Sequence, residues 1–297
     1  MTKVAVIAHS GKTVGGGLAE LRSELERQGV ERPLWFEVDK SRKAPKRVRQ
    51  ALREGAELVV AWGGDGTVQR CIDVMAGSES ALAVVPAGTA NLFASNLDIP
   101  QDVAEAVRIG LHGASTKIDV GRMKGERFGV MAGAGLDARM IRDADGTLKD
   151  RLGRLAYIWT GVKSARASTF GTQVEVDGTQ WYEGPASLVL AGNLGELFAG
   201  VEAFEDARPD DGALELGVVR AEGLVEWART VARAAVGSPS DSPFVQQTKA
   251  RSVRAKLDRK VLYELDGGAR EPVKRFRIEV EPAAITVRVP SNGTKTS

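Results

Sequence analysis

The chain has 297 residues, of which 41 are Lys or Arg and 39 are Asp or Glu, with a single cysteine, Cys71. This length suits two domains of ~100–200 residues each, and the near-neutral balance argues against a nucleic-acid partner. A lone cysteine excludes intramolecular disulfides and cysteine-rich zinc sites and fits a reducing, cytoplasmic compartment, while the absence of any run near the ~18 apolar residues of a membrane span leads us to expect a soluble protein.

Lys3–Ala8 is a β-rich run, Leu18, Leu21 and Leu25 recur at helical spacing, Leu34–Val38 is a second strand, and Val48, Leu52 and Ala56 mark a second helix. Leu58–Trp62 then reads as a strand, Val68–Met75 as a helix, Leu82–Val85 as a strand, and Thr89–Asn96 as a helix, with a further helix near Val103–Leu111. Such alternation implies parallel strands joined by crossovers, in a sheet covered on both faces. After Lys117 the texture changes. Hairpins are expected around Lys124-Gly125 and Asp177-Gly178, more strands at Ala213–Val219, Val261–Leu265, 275–281 and 284–289, and helices at about 148–166 and 222–236. The fold class is therefore α/β: an N-terminal parallel-sheet domain over 1–118 and a C-terminal antiparallel β domain with helical insertions over 119–284. The last strand, about 285–297, has the option of returning to the first domain.

The strand Leu58–Trp62 is apolar throughout, so Gly63-Gly64-Asp65-Gly66-Thr67 lies at its carboxyl end, where open α/β sheets bind ligands. Glycines let the backbone turn and come close to a ligand, and Thr67 is a suitable N-cap for a helix whose free N–H groups favour a phosphate. A second unit, Ala81–Phe93, repeats the plan with Pro86-Ala87-Gly88-Thr89. Two anion-seeking loops around one aspartate suit a nucleotide polyphosphate carrying Mg2+, with Asp65 acting on the metal directly or through water. The plainer alternative is an Asx-turn at Asp65. HSGKT at 9–13 mimics the end of a P-loop, but the first glycine of that motif would fall at Val6, inside a strand.

With GGDGT followed by PAGTANLFASNLDIP, and with AGAGLDA (132–138) and the 191–219 block downstream, the sequence resembles the diacylglycerol kinase catalytic-domain family, lipid kinases that share an architecture with NAD kinases. The resemblance implies a nucleotide-binding α/β domain, a β-sandwich domain, and ATP-dependent phosphorylation of a lipid hydroxyl. It implies ATP contacts from Gly63, Gly64, Asp65, Gly66, Thr67, Val68 and Gln69 and from Gly88, Thr89 and Asn91, with Asp65 central. It further implies a structural Mg2+ on Asp211, with backbone carbonyls near Arg208 and Ala213.

Two departures stand out. Gln69 and Arg70 replace the family's Asn-Glu pair, and the C-terminal Asp-Gly-Glu, whose glutamate is the expected general base, is here Asp266-Gly267-Gly268. Asp266 is the first candidate to substitute for that base; Glu271, in a loop able to fold back, and Glu264, on the face of Asp266, follow.

The partners expected are ATP, a lipid alcohol such as diacylglycerol, and the inner face of a membrane, touched transiently; a homodimer is left open. Helix 148–166 and the stretch Lys249–Arg277, with ten basic against four acidic residues, are the surfaces with charge for that contact. The alternatives in function are a catalytically weakened nucleotide- and lipid-binding protein, suggested by Gly268, and an NAD kinase, which shares GGDGT.

Overall fold

The computed structural model describes residues 2–135, 169–198, 201–235 and 239–291. The chain divides into two units, Met1–Val120 with Pro282–Ser297, and Gly121–Glu281.

In the first unit β1 (Val4–His9), α1 (Gly17–Arg27), β2 (Leu34–Val38), α2 (Ala44–Arg53), β3 (Leu58–Gly63), α3 (Asp65–Met75), β4 (Ala81–Pro86), α4 (Leu92–Asn96) and α5 (Val103–His112) follow one another, and β5 (Ala114–Met123) leaves the unit. The strands lie parallel in the order β2-β1-β3-β4. β3 and β4 are buried at every position, the signature of parallel strands covered on both faces. Asp102 caps α5 by accepting the Glu105 N–H at 2.8 Å. From β1 the chain steps one way to β2 and the other way to β3, so the order reverses beside β1. Ligands of open α/β sheets bind at the carboxyl ends of strands at such a reversal.

The second unit holds β6 (Glu126–Phe128), β7 (Met131–Ala134), β8 (Phe170–Val176), β9 (Thr179–Ala186), β10 (Leu188–Gly192), β11 (Glu196–Phe198), β12 (Val201–Glu202), β13 (Leu214–Val219), α6 (Gly223–Ala235), β14 (Val245–Ala250), β15 (Ser252–Leu265) and β16 (Gly268–Val289), whose end returns to the first unit. It is an antiparallel β-sandwich. β15 pairs with β8 over Val253–Leu257 and with β7 over Tyr263–Leu265, with register irregularities between Lys256 and Tyr263, so one strand serves both layers. Alternation explains the fit. Val253, Ala255 and Leu257 enter the core with Phe128, Phe170, Phe276 and Ile278, while Arg254, Lys256 and Asp258 face out. Thr286 and Val287 of β16 pair in parallel with Ala81 and Leu82 of β4.

Three hairpins turn on residues that are both in the left-handed region: Lys124-Gly125 (φ 53° and 86°), Asp177-Gly178 (51° and 87°) and Asp266-Gly267 (45° and 74°). Positive φ at both central residues gives the type I′ turn that matches strand twist. The first two were expected. The third was not, because Val261–Leu265, 275–281 and 284–289 read as separate strands; they are parts of two long ones, so Glu271 lies within β16 and not in a loop. The helix expected at 148–166 lies outside the described residues, as does the end of AGAGLDA; the one expected at 222–236 is α6.

Candidate active site

β3 and β4 are hydrogen-bonded neighbours in a register that sets Gly63 beside Pro86, so the loops that follow them leave the same end of the sheet. The Ala87 N–H donates to the Gly63 carbonyl at 2.9 Å. A Cβ built on Gly64 would stand 2.9 Å from the Gly88 Cα, and one on Gly88 only 2.5 Å from the Gly64 Cα. The two loops touch backbone to backbone, and glycine alone permits that approach. Asn91, with φ 51°, fixes the second loop: its Oδ1 accepts the Gly88 N–H at 2.8 Å and its Nδ2 donates to the Gly88 carbonyl at 3.0 Å.

Asp65 is the first residue of α3, and Gly64 occupies the cap position with no side chain closing the helix end. The Asp65 Oδ1 accepts the backbone N–H of Phe93 at 3.4 Å, which ties the GGDGT loop to the start of α4. Burial pushes the carboxyl pKa above the usual aspartate value, and hydrogen bonds from the backbone at Phe93, Leu92 and Asn91 offset part of that rise. Thr67 does not cap the helix as expected, because α3 starts at Asp65, three residues earlier than its apolar pattern suggested. Thr67 lies inside the helix, buried, with its Oγ1 3.0 Å from the Ser41 Oγ. The side chains of Val68 and Gln69 are buried as well, and the Val68 N–H already donates to the Gly64 carbonyl at 3.1 Å, whereas Thr89 is exposed.

Beside this end of the sheet lies a cavity of about 670 Å³ lined by Ser10, Asp39, Arg42, Lys43, Lys46 and Arg47, among others. Lys43 pairs with Asp39 at 2.7 Å, and Trp62 Nε1 donates to the Lys12 carbonyl at 3.2 Å, holding the loop after β1 against β3. Ser41 and these cations were missed in the sequence. The run Ser41–Arg47 contained the signal, five charged or hydroxyl side chains in seven residues at the end of a strand.

In the second unit the candidate bases part company. The Asp266 carboxylate accepts three backbone N–H bonds, from Gly129 at 2.8 Å, Val130 at 2.8 Å and Met131 at 2.9 Å, and the residue is only 4% exposed. It fastens the segment leading into β7 to the β15–β16 hairpin, and its lone pairs are committed there. Glu271 is exposed on β16. Glu264 is fully buried, neither carboxyl oxygen has a hydrogen-bond partner, and burial, with Asp266 adding to it, pushes its pKa up to about 8. At Gly268 a Cβ would stand 2.7 Å from the Arg270 Nη1. That guanidinium, which sequence reasoning overlooked, donates to the Gly268 carbonyl at 3.0 Å and holds Glu126 with Nε and Nη2 at 3.0 and 2.8 Å.

Residues 3–123 match the diacylglycerol kinase catalytic domain, and residues 130–289 match the YegS C-terminal NAD kinase beta sandwich-like domain. The chain belongs to the diacylglycerol kinase family. Its relatives include a Bacillus subtilis protein named diacylglycerol kinase, 33% identical over 73% of this chain and 72% of that one, and a Klebsiella pneumoniae protein named "Probable lipid kinase YegS-like", 29% identical over 92% and 91%. A Bacillus anthracis structure titled as a diacylglycerol kinase superposes with a TM-score of 0.76 at 24% identity over 97% of both chains. An Archaeoglobus fulgidus NAD kinase, solved with ATP, gives 0.54 at 11% over 96% and 93%. These two share the fold.

For this diacylglycerol kinase family member the structural Mg2+ expected on Asp211 meets a difficulty. The Asp211 Oδ1 accepts the Ala213 N–H at 3.1 Å, and its Oδ2 accepts from the Lys249 ammonium at 2.7 Å. Lys249 also stands 3.3 Å from the Glu215 carboxylate. Both Asp211 oxygens are engaged, a cation is already beside them, and among the described residues no three His, Cys, Asp or Glu are grouped to hold a metal. With one oxygen accepting from the Ala213 N–H and the other from Lys249, the Asp211 carboxylate does not fit a bound divalent ion as it stands.

Proposed function

We propose that this chain is an ATP-dependent lipid kinase, transferring the γ-phosphate of MgATP to the hydroxyl of diacylglycerol or a related lipid alcohol. The observation that carries the reading is the backbone contact between Gly64 and Gly88, which puts two glycine loops and Asp65 at one end of a parallel sheet in a chain of this family. The uncapped start of α3 offers N–H groups to a phosphate. The cations of the cavity at Arg42–Arg47 favour the rest of a polyanionic nucleotide. Asp65 is the carboxylate for the Mg2+ that arrives with ATP, since Mg2+ is commonly held through one or two carboxylates and the substrate's own phosphates.

The missing glutamate at position 268 does not defeat the proposal. As the acceptor oxygen bonds to the γ-phosphorus, the bond to the β-phosphate oxygen breaks, through a loose transition state that depends mainly on positioning and charge neutralisation. A positioned base contributes roughly 10²–10⁴-fold. The acceptor proton passes to solvent or to the transferred phosphoryl oxygens, and the reaction is slow but present. None of the described helices is long and apolar enough to cross a membrane.

The test is incubation of the purified protein with γ-labelled ATP, MgCl2 and mixed micelles of candidate lipid alcohols. Labelled lipid is the expected product. Tight ATP binding with no labelled lipid across many acceptors would favour the nucleotide- and lipid-binding alternative that Gly268 suggests, and phosphorylation of NAD would favour an NAD kinase.

A further inference from the structure

The misfit at Asp211 has a built-in explanation. β13 and β14 are antiparallel neighbours, and their register places Glu215 directly opposite Lys249, while Asp211 sits in the turn that leads into β13. From its strand Lys249 reaches both carboxylates, at 2.7 Å and 3.3 Å. The Glu215 carboxyl is pushed up by burial, drawn down by Lys249, and pushed up again by Asp211 and Asp206. The ammonium is held above its usual pKa, first by its hydrogen bond to Asp211. One lysine thus bridges two carboxylates, Asp211 and Glu215, while Asp206 adds its field at Glu215. A divalent ion on Asp211 would have to displace it or tolerate a like charge within a few ångströms.

We propose that the Lys249 ammonium is the resident structural cation of the β13–β14 edge, standing where the family's aspartate would take Mg2+, so that this region folds without a divalent metal. The inference depends on geometry within the second unit and is independent of whether the chain phosphorylates a lipid.

The experiment is thermal unfolding of nucleotide-free protein at fixed ionic strength, in EDTA and in millimolar MgCl2, with Mg2+ titrated by calorimetry. Wild type should melt at the same temperature in both. Lys249→Met should melt lower in EDTA, by about 2–4 °C, should recover in MgCl2, and should lose that recovery when Asp211→Asn is added; Lys249→Arg should stay indifferent to metal. The proposal is overturned if wild type is stabilised by Mg2+ and Asp211→Asn abolishes the effect, or if Lys249→Met melts like wild type in EDTA. A wild-type response that survives Asp211→Asn arises elsewhere and leaves Lys249 in place. If Lys249→Met fails to fold, the melts of wild type and Asp211→Asn in EDTA and in MgCl2 still decide.

Discussion

The Cα atoms of Gly64 and Gly88 face one another with no room for a side chain on either. A methyl group on Gly88 would meet the Gly64 Cα at 2.5 Å and the Asn91 Oδ1 at 2.6 Å, and neither can retreat, one being backbone and the other a doubly bonded amide. Gly88→Ala is therefore expected to cost about 1–3 kcal/mol, as overpacking does, and to weaken ATP binding measured by calorimetry. Gly66→Ala is the contrast. Its nearest neighbour would be the Ser41 Oγ at 3.7 Å, an ordinary contact, so its melting temperature should hold.

Asp65→Asn separates charge from shape. The amide oxygen can still accept from the Phe93 N–H, and a half-buried carboxylate, whose charged form partial burial disfavours, is gone. Stability should hold or rise, while lipid phosphorylation should fall by roughly 10²-fold or more, the usual loss for a removed electrostatic partner of the transition state. Wild-type rates from this variant would remove Asp65 from the reaction.

Asp266 and Glu271 should separate in urea melts. Asp266→Ala strands three buried N–H groups at about 1–3 kcal/mol each, so a loss of roughly 3 kcal/mol or more is expected. Glu271→Gln, on an exposed strand position, should leave stability and rate alone. A fall in rate with unchanged stability for Glu271→Gln would return it to the list of bases.

Glu264 predicts a pH dependence. Its carboxyl is pushed from 4.5 to about 8 on folding, so between those values the folded chain takes up a proton. The stability it contributes is complete below the unfolded value and is lost as pH rises through the folded one, by about 1.4 kcal/mol per unit. Urea unfolding across that range should show this decline in wild type and a flatter curve in Glu264→Gln. An identical slope in both would assign the proton elsewhere.

Gly268→Glu tests the missing base. The backbone at 268 is not left-handed; a Cβ would meet the Leu265 carbonyl at 3.2 Å, a tight contact, and the end of the flexible Arg270 side chain at 2.7 Å, which can move and pair with the new carboxylate. The fold should survive, and kcat should stay level or rise, by up to the ~10²–10⁴-fold a base can supply. A strong loss would mean that the surroundings have been rebuilt around the Arg270–Glu126 pair.

What the sequence made legible follows from range. The glycine loops were readable because an apolar strand, a turn and a helix follow one another within about fifteen residues, and the two copies obey the same local rules. The alternating parallel half was readable for the same reason. The start of α3 was misjudged because Asp65 and Gly66 carry no apolar signal, although both are helical. Contacts between distant positions were not readable: Ser41 with Thr67, Arg270 with Glu126, Lys249 with Asp211, and Asp266 with Gly129–Met131. Asp266 looked like a base because its type and motif are local facts, whereas its three donors lie more than 130 positions away.

The return of β16 to β4 sets an order on synthesis. Until Thr286 and Val287 leave the ribosome, the outer side of β4 at Ala81 and Leu82 has no strand to receive its hydrogen bonds, and a bare apolar edge invites pairing with other chains. A fragment cut after Val120, at the boundary of the first unit, should accordingly clump during expression, and supplying a peptide spanning residues 282–291 in trans should relieve it.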